Sequence, residues 1–156
     1  MNVDGIDDFY RKHAGDLMRL AVVLVGPDDA EDVFSEAVVR CVQSRRWSTL
    51  TESEQPRYVY RAVVNYSRSW MRSAGRRNRR EDLYARRTSA AIDEYVPSDL
   101  ANAVAGLSVR QRAVVFLTYW KDYDTRMVAE VLGISEGSVY QHLSRARANL
   151  RGRIDV

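Results

Sequence analysis

Residues 124–151, DTRMVAEVLGISEGSVYQHLSRARANLR, leave a chain few ways to fold. Their spacing predicts two helices joined by a tight turn. Asp124 is placed to cap the first helix, with Val128, Ala129 and Leu132 on its inner face. Gly133 follows, able to turn the backbone where a side chain would clash. Ser135 is a natural N-cap for the second helix, and Glu136 sets negative charge at its positive end. Along that helix Val139, Leu143, Ala146 and Leu150 recur at helical spacing and are expected to face the core. The opposite face carries Ser138, Tyr140, Gln141, Ser144 and Arg145, with Arg147 and Arg151 on its flank. A buried stripe backed by hydrogen-bonding and cationic side chains is what a helix reading the major groove needs. An ordinary helical hairpin with a solvated face is the alternative this stretch leaves open.

The rest of the 156 residues suffices for one medium domain or two small ones. At 46% hydrophobic and 29% charged the chain can build a core and stay in solution. No apolar run approaches membrane-spanning length, not even LAVVLVG near the start. No basic-then-apolar leader with a small-residue cleavage site opens it, which argues against secretion. A single cysteine, Cys41, suits a reducing, cytoplasmic compartment. It falls beside Val38 and Val42 on a helix face and reads as a small core residue.

The net charge of +3 conceals an asymmetry. Up to Glu36 nine carboxylates face only Arg11, Lys12 and Arg19, whereas from Arg57 to Arg87 only Glu81 and Asp82 oppose a series of arginines. The last helix is basic again. Two basic segments imply two contacts with nucleic acid, and an acidic one implies a different, basic partner.

In chain order, a first helix is expected over about 7–25, lined by Phe9, His13, Leu17, Leu20, Ala21 and Leu24. His13 on that apolar side reads as a packed histidine, since no second metal-type residue stands near it. Gly26-Pro27 ends the helix, and Asp28 with Glu31 resembles a capping box opening the next. That helix, about 28–46, buries Ala30, Val33, Phe34, Ala37, Val38, Cys41 and Val42. Asp32 and Glu36 lie one turn apart on its other side, with Ser35 and Arg40 beside them. They form either an ordinary surface pair with Arg40 or an acidic ridge for a basic partner.

The helical pattern breaks over 45–57, where Trp47 stands in a loop, either folded onto the core or part of a base-binding pocket. A third helix is expected to open near Pro56, with Val59, Ala62, Val63, Tyr66 and Trp70 inward. Arg61, Asn65, Arg68 and Arg72 share one outer stripe, Tyr58 and Tyr60 lie near its start, and Arg76, Arg77, Arg79 and Arg80 follow. A solvated helix face normally mixes charge signs, and this stripe does not. Arginines pair with phosphates, while Asn and aromatic rings bond to or stack on exposed bases.

Periodicity fades over 88–98, TSAAIDEYVPS, which reads as an interdomain linker. Ser98 then caps a short helix closed by Gly106. Ser108 with Gln111 makes a capping box for SVRQRAVVFLTYW, where Val109, Ala113, Phe116, Leu117 and Trp120 are available for burial. No segment reads as a strand. The expectation is an all-α chain of two small helical domains, 1–87 and 99–156, joined by a flexible linker at 88–98.

Taken together, two blocks resemble a bacterial RNA polymerase sigma factor of the extracytoplasmic-function (ECF, group IV) type. The first, 9–80, carries DAEDV at 29–33, Glu36-Ala37, and PRYVYR at 56–61 followed by Asn65, and is similar to conserved region 2. The second, 107–151, carries LSVRQRAVVFL, VAEVLGISEGSV and RARANLR, and is similar to region 4. Their order and spacing make the match specific. The second block ends so near the last residue that no additional C-terminal sensory domain is expected.

The resemblance implies roles. Asp32, Ser35 and Glu36 would dock on the clamp helices of the polymerase β′ subunit. Arg61, Asn65, Arg68 and Arg72, with Tyr58 and Trp47, would hold the melted −10 strand and capture an unstacked base. Tyr140, Gln141, Ser144 and Arg145 would read the −35 element, with Ser138 and Arg147 nearer phosphates, and the second half would also touch the β flap. An anti-sigma factor is the implied regulatory partner. Ser35 stands where the family usually has Gln, Tyr58 where Trp is common, and Tyr140 and His142 where basic residues are frequent. His142 is expected to be a polar surface residue, partly charged near neutrality.

Two other classes compete. A stand-alone dimeric helix-turn-helix regulator would bind an operator without polymerase, but leaves the acidic second helix and the arginine stripe without a role. An enzyme would need a catalytic constellation; there is no paired-carboxylate site with a base, no Cys/His metal spacing and no phosphate-cradling Gly loop. No catalytic residue, metal, cofactor, small-molecule substrate or membrane insertion is therefore expected.

Overall fold

Gly26, at φ 88°, and Pro27 divide the opening of the chain into helices α1 (Val3–Val25) and α2 (Pro27–Gln43). The computed structural model describes residues 3–77, 104 and 106–154. Proline takes the first position of α2, where a missing N–H costs nothing. No side chain caps this helix, so Asp28 is a first-turn acid facing the helix dipole and not the capping residue its sequence suggests. The helix also stops at Gln43, short of the expected 46, because Ser44 turns extended and a short 3-10 turn follows at Trp47–Thr49.

Helix α3 (Glu54–Arg77) opens two residues before the expected Pro56. A reciprocal pair of bonds stabilises its start: Glu54 N–H donates to Thr51 Oγ1 (3.3 Å), and Thr51 N–H donates to Glu54 Oε2 (3.0 Å). Helices α1, α2 and α3 pack on one another around Leu17, Leu20, Leu24, Val33, Val59 and Val63, all fully buried. The expected inner faces of α1 and α2 are the observed ones. Cys41 is buried among them, its thiol pushed up to about 11 by burial.

The second half comprises α4 (Val109–Val115), continued by a π turn at Phe116–Trp120, α5 (Thr125–Leu132) and α6 (Glu136–Ile154). The capping box at Ser108 and Gln111 forms in both directions, at 3.1 Å each way. Asp124 accepts from the Met127 N–H at 2.8 Å, and Ser135 accepts from the Ser138 N–H at 3.1 Å, so both expected caps are made. Gly133 is left-handed, at φ 66°, and turns α5 into α6. Val128, Ala129, Leu132, Val139, Leu143 and Ala146 are buried as expected. Trp120 is not: it is 53% exposed.

The two halves share one core. Helix α4 packs on α1 and α3, and α5 packs on α3, which buries Val114, Val131, Tyr60 and Val64 beyond the faces that periodicity marks. Ion pairs flank the apolar contact. Asp16 of α1 accepts from Lys121 Nζ (2.9 Å) and Trp120 Nε1 (3.2 Å), while Arg57 of α3 pairs with Glu130 of α5 at 3.6 Å. Arg112 Nη1 donates to the Leu24 carbonyl (2.9 Å), answering an orphan acceptor at the end of α1. The segment 88–98 read as a linker, and Arg79 and Arg80, lie outside the described residues.

Candidate nucleic-acid interface

Helix α6 presents the face its sequence assigns. Its inner stripe is anchored by Val139, Leu143 and Ala146, and the helical period then turns Tyr140, Gln141, Ser144 and Arg145 to solvent, Tyr140 with 63% of its surface free. Ser138 is half-buried, its hydroxyl bonded to that of Ser135 at 3.0 Å, so it is committed to the cap. Arg147 is exposed and its Nε donates to the Tyr119 hydroxyl at 3.0 Å, which fixes its direction.

Helix α3 carries its stripe as the spacing demands: Arg61, Asn65 and Arg72 are exposed and Arg68 is half-buried. The stripe does not look out on open solvent along its length. A side chain at Gly133 would begin 2.9 Å from Arg61 Nη2, so the turn between α5 and α6 lies directly against Arg61. Farther along, burial and then the charges of Arg110 and Arg72 lower the Arg68 pKa. The Arg61 end of the stripe thus faces the second half.

A cleft of about 420 Å³ opens between these elements. Arg46, Leu50, Glu54, Arg57, Tyr58 and Arg61 line it from the first half, and Glu130 and Val131 from α5. Tyr58 stands in its wall, its hydroxyl donating to Ser44 Oγ at 3.0 Å and Arg46 lying over its ring at 5.8 Å. Trp47 is not part of this lining. It packs edge-on against Phe9 (5.3 Å, 90°), so of its two readings the core-packed one describes its position here. Tyr60 likewise turns inward, wholly buried, with Lys121 Nζ 5.6 Å from its ring.

On α2 the acidic ridge is present but unequal. Glu36 pairs with Arg40 at 2.8 Å, and Arg40 also lies over the Tyr66 ring at 4.7 Å. Asp32 and Ser35 are exposed, and Asp32 makes no ion pair among the described residues. His13 packs on Phe9 at 4.9 Å, and burial lowers its pKa. His142 departs from expectation: burial, then Arg110, Arg145 and Arg68, lower its pKa, and Nδ1 is buried without a partner. Among the described residues no helix is long and apolar enough to cross a membrane.

Two residues essential to this geometry escape the sequence reading. Asp16 looks like one more surface acid and Arg112 one more surface base, yet both join the halves. Each carried a weak signal: Asp16 is flanked in sequence by the apolar face of α1, and Arg112 by Ala113 and Val114.

Residues 98–150 match the family Sigma-70, region 4, which covers the helix-turn-helix and the helix before it. Over nearly the whole chain the protein is similar to several sigma factors. RNA polymerase sigma-E factor of Streptomyces coelicolor is 30% identical over 152 residues, covering 93% of this chain and 83% of that one. ECF RNA polymerase sigma factor SigL of Mycobacterium tuberculosis is 31% identical over 152 residues, covering 91% and 84%. The fold is also that of the sigma factor RpoE from Bartonella quintana, solved in complex with the anti-sigma factor NepR. The TM-score is 0.69 at 20% identity, over 96% of this chain and 98% of that one. The class is therefore the sigma factors, proteins that direct transcription by RNA polymerase. Within it, this chain belongs to the ECF family.

Proposed function

We propose that this chain is a promoter-specificity subunit without chemistry of its own, with its contacts divided among three surfaces. Helix α6 enters the major groove of the −35 element through Tyr140, Gln141, Ser144 and Arg145, with Arg147 and the Ser138 end of the helix near phosphates. The α3 stripe of Arg61, Asn65, Arg68 and Arg72, with Tyr58 in the cleft wall, takes the melted −10 strand. Asp32, Ser35 and Glu36 dock on the β′ clamp helices, Asp32 foremost because Glu36 already holds Arg40. The second half also meets the β flap. The observation that carries the reading is the exposed polar and cationic face of α6 behind the buried side chains of Val139, Leu143 and Ala146.

Spacing adds a conformational requirement. Elements named −10 and −35 lie roughly 25 base pairs apart, or ~85 Å along B-DNA at 3.4 Å per step. Here Arg61 lies against the α5–α6 turn, so the halves must part before both elements are engaged. The roughly 25 residues between α3 and Val104 span up to ~85 Å when extended. The domain boundaries are proposed accordingly, at 1–87 and 99–156. The packed form is the one an anti-sigma factor would hold, as a partner that keeps the halves together keeps Arg61 against the α5–α6 turn.

Run-off transcription with purified bacterial core polymerase, on the promoter of the protein's own operon, tests the proposal. Specific initiation that is lost when Asp32 and Glu36 are both changed to Lys is the expected result. Failure to bind core polymerase, with an operator duplex shifted by the protein alone, would replace the reading with that of a dimeric regulator.

A further inference from the structure

Arg57 and Arg61 stand one turn apart on α3 and line one wall of the cleft, with Arg46 and Tyr58 beside them. Glu130 and Val131 of α5 form the facing wall. Across it Arg57 Nη1 lies 3.6 Å from Glu130 Oε2, while Glu130 Oε1 lies 3.4 Å from Arg126 Nε on α5 itself. Glu54, the other carboxylate of the lining, is committed to the start of α3, accepting from the Thr51 N–H at 3.0 Å. Among the described residues Arg57 thus has a single ion-pair partner, and that partner comes from the other half.

Two features make this pair exchangeable. Its length exceeds the roughly 2.7–2.9 Å of a strong charge-assisted bond, and with 31% and 52% of the side chains exposed, water and salt reach both groups. Glu130 also keeps Arg126 when the halves part, so opening leaves no carboxylate without a cation. We propose that Glu130 occupies a phosphate position on α3, so that the free chain competes with single-stranded nucleic acid for its own arginine face. Arg57 is then a further strand-binding residue, uncovered when α5 leaves. The inference rests on the assignment of the α3 stripe to the melted strand and extends that stripe one turn toward the start of the helix. A phosphate can accept two bonds from the Arg57 fork, where Glu130 turns one oxygen toward it. Strand and second half exclude each other by charge at Arg57. They exclude each other by space at Arg61, where a Cβ on Gly133 would lie 2.9 Å from Nη2.

The test measures binding of the full chain, without polymerase, to a short fluorescent single-stranded DNA of mixed sequence by anisotropy at low salt. Glu130→Gln should tighten binding by about two- to fivefold, the range of an exposed ion pair. Asp8→Asn on α1 removes the same charge away from the cleft and sets the gain due to net charge alone. In an Arg57→Gln background Glu130→Gln should add nothing beyond that control, because the competed cation is gone. A second readout follows the indole N–H of Trp120, which donates to Asp16 across the junction at 3.2 Å. Its NMR resonance should shift as the oligonucleotide parts the halves, and Glu130→Gln should start part of the way along that shift. Equal binding by parent and Glu130→Gln once the Asp8→Asn control is subtracted, a gain that survives Arg57→Gln, or no binding by either chain would overturn the proposal. The underlying assignment is tested separately by Arg61→Ala, which should weaken promoter binding by the reconstituted holoenzyme whether or not Glu130 competes.

Discussion

Lys121 Nζ lies 2.9 Å from Asp16 Oδ2 across the junction of the two halves, with only 21% and 26% of the two side chains exposed. Burial pushes the Asp16 carboxyl upward. Hydrogen bonds from Lys121 and Trp120, with the Lys121 charge, outweigh it and hold the group below its usual 3.8. A depressed carboxylate stabilises the fold above its unfolded pKa and loses that contribution as pH falls through the folded value. Asp16→Asn should therefore lower stability by about 1–3 kcal/mol at pH 7. Denaturant titrations of variant and parent should begin to converge as the pH drops below about 4 and meet once it has fallen below the depressed folded pKa of Asp16. A difference that persists undiminished at pH 2 would assign the loss to packing.

Gly133 has two reasons to lack a side chain, its left-handed backbone and the approach of Arg61. Gly133→Ala should cost about 1–3 kcal/mol by urea unfolding. Gly133→Asn tolerates the backbone better but still crowds Arg61. If Asn restores full stability, the Arg61 contact has no energetic weight.

On α6 the proposed reading and positioning roles should separate by their salt dependence. Gln141→Ala or Arg145→Ala in the reconstituted holoenzyme should weaken promoter binding by about 1–3 kcal/mol and relax preference at particular −35 bases. Arg147→Ala should weaken all sequences alike and reduce the slope of log affinity against log salt by about 1. Loss of base preference in Arg147→Ala would move that residue into the groove.

Cys41 is buried, with its thiol pushed up to about 11. Almost no thiolate is then available at pH 8. A disulfide reagent should leave the native protein unmodified over minutes and react with one equivalent per chain in denaturant. Fast native labelling would mean that the packing of α1, α2 and α3 opens readily.

The local elements were legible because their causes are local. Asp124, Gly133 and Ser135 cap and turn the helix-turn-helix by bonds within four residues. The inner faces of α1, α2 and α6 follow from one period and one core. The family was legible for a related reason, since its motifs lie in short runs such as DAEDV and VAEVLGISEGSV. The reading faltered where cap and element end depend on fine geometry, as at Asp28 and Glu54.

What the sequence by itself determined is therefore the set of helices, their buried stripes and the polar face of α6, each a consequence of periodicity and capping. What only the tertiary structure decided is how the two halves meet. Tyr60 and Val131 are buried by helices distant in sequence, Trp47 folds onto Phe9, and Asp16 finds Lys121 at a separation of 105 residues. Arg61, which periodicity marks only as one member of an outer stripe, is set against the α5–α6 turn by that same packing. No period within a helix encodes such contacts, because the partner that buries a surface or neutralises a charge is chosen by the fold and not by neighbouring residues.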